Sequence, residues 1–76
     1  MYIRLESIDP ARNRYRYYLV SVCLNLWGWV TVCRWGRIGD ERPRGVRVLG
    51  AGDLDDAELA AAVVVERRLR RGYRVK

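Results

Sequence analysis

Between Tyr15 and Ile38 the chain alternates twice, with a turn in between, and that pattern leaves little choice of architecture. Tyr15–Leu24 is rich in Tyr, Val and Leu, residues that favour a pleated surface. Successive strand side chains point to opposite faces. Arg16, Tyr18, Val20, Val22 and Leu24 therefore share one face, and Tyr15, Tyr17, Leu19, Ser21 and Cys23 the other. Asn25–Gly28 supplies Asn and Gly, which tolerate positive φ. Trp29–Ile38 then repeats the pattern: Trp29, Thr31, Cys33, Trp35 and Arg37 point one way, Val30, Val32, Arg34, Gly36 and Ile38 the other. Two such runs with a short connection predict an antiparallel hairpin. Both faces carry apolar groups, so one side is covered and the other is at least partly aromatic.

The rest of the chain supplies the cover. Met1–Ile8 alternates weakly and predicts a first strand, ended by Asp9-Pro10 because Pro10 has no N–H to give a ladder. Ala11–Arg14 reads as a basic loop and Gly39–Gly45 as a polar one around Pro43. Val46–Leu49 is a further β segment, broken by Gly50–Gly52. From Leu54 to Arg71 the period becomes helical. Asp53 suits the N-cap, with Asp56 in the acidic partner position. Asp55, Asp56 and Glu58 complement the positive end of the helix dipole, and Arg67, Arg68, Arg70 and Arg71 the negative end. Gly72 stands where a left-handed cap is expected. Ala57, Ala61, Val64, Val65 and Arg68 form one stripe, whose alanines let the helix lie close to a sheet. The expected order is strand, hairpin, strand, helix. That is an α+β fold: a small antiparallel sheet with one C-terminal helix packed on one face, in a single domain spanning residues 1–76.

Several functions lack the residues they need. A chain of 76 residues builds only a thin core, burying roughly 60% of its unfolded surface. The absence of histidine removes the commonest general base near neutral pH and every His-containing zinc site, and two cysteines do not close a Cys₄ site. Ser7, Ser21 and Thr31 have no histidine to activate them. The glycine spacing matches no phosphate-loop fingerprint. The expectation is a protein that is not an enzyme and has no cofactor, metal or small-molecule substrate. No apolar run approaches the ~20 residues that span a bilayer. The start, MYIRLESIDP, has no signal core. A cytoplasmic location and no membrane partner are expected, with Cys23 and Cys33 reduced and buried as small hydrophobes.

The charge is more informative. Lys+Arg number 15 against 9 Asp+Glu, a net +6, and every cation except Lys76 is an arginine. Arg12, Arg14 and Arg16 interleave with Tyr15, Tyr17 and Tyr18, which suits an electrostatic groove with stacking platforms and equally suits a charged, solvated edge strand. Trp35 and Arg37 share a strand face, offering a planar stacking surface beside a bidentate phosphate donor. The competing reading makes Trp35 a core residue. Arg67–Arg71 fits a helix terminus better than a phosphate patch, and Tyr73 fits packing beneath the helix end. Trp29 is expected at the core edge and Trp27 in solvent.

The run Arg34-Trp35-Gly36-Arg37-Ile38-Gly39 resembles the signature of the WGR domain family. Asn13-Arg14-Tyr15 resembles the opening of that family's main strand. Tyr17-Tyr18-Leu19 and Leu26-Trp27-Gly28 are similar to its strand and turn in the stand-alone bacterial version, and Arg71-Gly72-Tyr73 to its closing motif. WGR domains are best known within DNA-dependent poly(ADP-ribose) polymerases, where the Trp packs on a sugar at a 5′ end and the Arg contacts the backbone or a neighbouring domain. The resemblance implies that Trp35 stacks, that Arg37 meets phosphate or a partner, and that Asn13 and Arg14 lie near a terminal phosphate, with Tyr73 on the same rim. Arg12 and Arg16 extend the basic surface. The expected function is a nucleic-acid-binding module for DNA backbone or ends, nicked DNA and free 5′ ends included, with little sequence preference. The alternative is a protein-interaction module that binds an acidic partner or itself.

Overall fold

The structure is a computed structural model that describes residues 1–76, apart from the side chain of Ala51. Strand β1 is Tyr2–Asp9, β2 Arg14–Asn25, β3 Gly28–Arg37, β4 Gly45–Gly52 and β5 Arg74–Val75; helix α1 is Leu54–Arg70. The sheet order is β4-β3-β2-β1-β5, and every neighbouring pair is antiparallel. The expected α+β arrangement is the one found.

The hairpin that organises the sequence also organises the sheet. Asn25 pairs with Gly28 around the turn residues Leu26 and Trp27. The Asn25 side chain accepts a hydrogen bond from the Trp27 N–H at 2.8 Å, and Gly28 takes φ +124°. Register then sets the cross-strand rows. Leu5, Tyr18, Trp35 and Gly45 form one row; Ile3, Val20, Cys33 and Arg47 the next; Val22, Thr31 and Leu49 a third. These rows hold the core, with Leu5, Val20, Thr31 and Cys33 fully enclosed.

Helix α1 covers that face. Asp53 caps it as the sequence suggested, its Oδ1 accepting from the Asp56 N–H at 2.8 Å. Ala57 and Ala61 are the residues buried against the sheet. Their small side chains let the backbones approach until the Thr31 hydroxyl donates to the Ala57 carbonyl at 2.6 Å. The contact satisfies the one hydroxyl that the core encloses completely, which unpaired would cost about 1–3 kcal/mol. The helix ends at Arg70, and Gly72 with φ +95° turns the chain back under it.

Three details differ from the sequence reading. The expected break at Gly50–Gly52 does not end β4. Gly50, with φ +58°, lies at the register shift opposite Val30 and Thr31, so the glycine allows a bulge within a continuing strand. A fifth strand, β5, pairs with Leu5 and Glu6 of β1. Cys33 is buried but Cys23 is exposed, and both are free. Alternation puts Cys23 on the face that the helix leaves open, near the hairpin turn. No helix among the described residues is long and apolar enough to cross a membrane.

Candidate nucleic-acid interface

Helix α1 is shorter than the sheet, and where it stops the sheet face opens. The uncovered end holds a concavity of about 600 Å³, floored by the last residues of β3 and the first of β2 and bounded by the helix C-terminus. Its cations are Arg12, Arg14, Arg16, Arg37, Arg44 and Arg68, its aromatics include Tyr15, Tyr18, Trp35 and Tyr73, and among the described residues no carboxylate lines it. All the residues singled out from sequence, Asn13 among them, converge here.

Each is placed by a separate local rule. Pro10 starts a single 3-10 turn over Pro10–Arg12, and Asn13 leaves it in the left-handed region at φ 51°. Asn tolerates that region better than most residues. The turn brings Asn13 beside the end of β3, where Arg37 Nη2 donates to its Oδ1 at 3.2 Å. The Arg37 guanidinium also lies 5.4 Å from the Tyr15 ring centroid. Arg12 is exposed and pairs with Asp9 at 3.6 Å. Arg16 is exposed and stands opposite Arg37 in the register. Two like charges facing each other across a ladder are unfavourable unless an anion bridges them.

Trp35 satisfies both readings of it. The indole is half-buried and packs on the core, nearly parallel to Tyr18 at 5.6 Å and 8°, and reaches over Gly45. It also lines the open concavity. Behind it the aromatics interlock. Tyr73 meets Tyr18 edge-on at 6.3 Å, and Arg68 sits 4.2 Å above the Tyr18 centroid. Tyr73 is thus mainly a buried packing residue, 6% exposed, with the Arg14 guanidinium 5.6 Å from its ring. Burial pushes the Tyr18 phenol pKa up, helped by the neighbouring Cys33 thiol and opposed by Arg68. Tyr18 therefore stays a neutral hydrogen-bond donor at pH 7.

Arg14 carries the most telling detail. Its Nε is buried and has no hydrogen-bond partner among the described residues. The Nε edge of the guanidinium is packed against protein, beside the Tyr73 ring, while the half-buried residue lines the concavity.

Sequence reasoning left out Tyr18, Arg44 and Arg68 as site residues. Arg68 had a signal, since it is an arginine on the helix stripe that otherwise carries Ala and Val. Tyr18 had only its place in the aromatic run. Arg44 had none. It is brought in by the β3–β4 loop, where its N–H bonds to the Trp35 carbonyl at 2.8 Å.

Comparison with known proteins gives a consistent answer. The model of the WGR domain matches residues 1–76. Among curated proteins, the chain is similar to the uncharacterized protein y4dW of Sinorhizobium fredii, with 37% identity over 71 residues that cover 92% of this chain and 34% of that protein. The chain thus spans about a third of the length of the curated relative it matches. No solved structure matches it.

Proposed function

The chain belongs to the WGR domain family, and from that premise we propose that it is a nucleic-acid-binding module, without catalysis of its own, that holds the backbone or an end of DNA. One observation carries the reading: a concavity lined by six arginines and several aromatics, with no carboxylate among its described lining residues. Guanidinium groups match phosphate bidentately, and aromatic faces accept bases or sugars of any identity. Such contacts fix position and carry no sequence information, so discrimination falls on shape and ends. The concave outline favours a terminus or a nick over an uninterrupted duplex.

The test is a titration of labelled nicked, blunt and single-stranded DNA at two salt concentrations. Nicked or end-bearing DNA is expected to bind most tightly. On duplex the logarithm of affinity falls against the logarithm of salt with a slope of about −0.9 per phosphate neutralised. Failure of every form to bind at low salt overturns the reading. Equal affinity for circular intact duplex and for nicked DNA removes the preference for ends.

A further inference from the structure

We infer that the molecule associates head to tail with further copies of itself, the hairpin tip of one copy seating in the basic concavity of the next. The tip is the least solvent-compatible part of the surface. Leu24, Leu26 and Trp27 are 63%, 92% and 78% exposed. They are nevertheless held in shape by the Asn25 side chain at the turn. The helix N-terminus lies alongside. Gly52 pairs with Trp29 beside the turn, and a Cβ added at Gly52 would lie 3.3 Å from the Asp56 carboxylate. Asp53, Asp55, Asp56 and Glu58 thus stand at this end of the molecule, and none of them forms an ion pair among the described residues. The result is an apolar knob with an acidic rim.

The opposite end is its complement, a hollow with an aromatic floor whose lining holds six arginines and no carboxylate among the described residues. The flanking acids are Asp9, which is paired with Arg12, and Asp40 and Glu41 in the β3–β4 loop. Knob and hollow cannot meet within one molecule. The protein is 43 Å long, and β2 runs rigidly between them, Arg16 at the hollow and Asn25 at the tip, roughly 30 Å apart at ~3.3 Å per residue. A contact between two different patches of the same protein is heterologous, so it propagates into rings or open chains instead of closing as a dimer. An indole seated among guanidinium groups also gains cation–π attraction. The inference uses the shape and charge of the hollow and does not depend on its binding nucleic acid, though the two occupants compete for it.

The experiment is sedimentation velocity on the nuclease-treated full chain over a range of concentrations at low and high salt, with no nucleic acid present. The mass is expected to rise above the monomer's 8.9 kDa with concentration at low salt and to return to it at high salt. Two variants separate the ends. Leu26→Ser with Trp27→Ser disables the knob at exposed positions, and Arg16→Glu with Arg37→Glu disables the rim of the hollow. Each alone is expected to be monomeric. Mixed, they form a one-to-one pair and nothing larger, because one working knob and one working hollow remain. A monomer at every concentration and salt overturns the inference. So does a knob variant that assembles like the parent, or a mixture that yields no pair. A failed DNA titration leaves these outcomes untouched, so the two readings fall separately.

Discussion

At the scale of single residues, the concavity rests on steric permissions as much as on charges. Gly45 is the clearest case, since a Cβ there would overlap Cζ2 and Cε2 of Trp35. Displacing either atom means moving an indole that is stacked on Tyr18. Gly45→Ala is expected to cost about 1–3 kcal/mol through overpacking, seen as a lower denaturant midpoint, and to weaken DNA binding in parallel. Unchanged stability would mean that the indole does not lie over β4. Arg37 acts differently, through charge. Arg37→Ala is expected to weaken DNA binding to a similar degree on all sequences and to reduce the salt slope by about 1. An unchanged slope would take Arg37 off the phosphate. Trp35 and Arg37 stood out in the sequence through strand alternation and the Trp-Gly-Arg run, and Asn13 only through the resemblance of Asn13-Arg14-Tyr15 to the family's strand opening. Arg44 was not legible, because a loop with no local pattern brings it in, and Arg68 was legible only as an arginine on the helix's packing stripe, since the docking of the helix decides where it lands.

At the scale of elements, strong periodicity carried the reading and weak periodicity did not. The hairpin and α1 stand within a residue of where the alternation, the cap and the acidic and basic helix ends put them. β5 is two residues long and exists only because β1 offers an edge, so no pattern in Arg74–Val75 could announce it. Gly50 was ambiguous for a physical reason: positive φ serves a turn and a bulge equally. The join between helix and sheet has its own test. Thr31→Val keeps the shape of the side chain but removes the donor to the Ala57 carbonyl, a hydrogen bond of 2.6 Å. The Ala57 carbonyl retains its place in the helix ladder, so the expected loss is that of one hydrogen bond, roughly 1 kcal/mol. It is measured by denaturant unfolding. A loss several times larger would show that the hydroxyl positions the whole helix.

At the scale of the whole molecule, charge is unevenly spread along the length. The helix-start acids Asp53, Asp55, Asp56 and Glu58 stand towards the hairpin tip and six arginines line the hollow, with Asp9, Asp40 and Glu41 in the segments that flank it. Glu6, bonded to both Arg4 and Lys76, ties the two ends of the chain together. Glu6 Oε2 bonds Arg4 Nε at 2.9 Å, and its Oε1 meets Lys76 Nζ at 3.3 Å. The net +6 was plain from composition, but the gathering of six arginines round one hollow depended on the helix direction and on which strand end the helix left bare. The Arg4 hydrogen bond, supported by Lys76 and opposed by burial, holds the Glu6 carboxyl below its ordinary value of 4.5. A carboxylate whose pKa is lowered by folding stabilises the fold above its unfolded pKa, and that contribution is lost as pH falls through the folded value. Glu6→Gln removes the charge at every pH. The variant is therefore expected to be less stable than the parent at pH 7 and to lose less on acidification, so that the two denaturant midpoints converge below the ordinary carboxylate range. Parallel midpoints across that range would mean that the contacts of Glu6 with Arg4 and Lys76 are not made in solution. The pairing of β5 with β1 would then rest on its backbone hydrogen bonds alone.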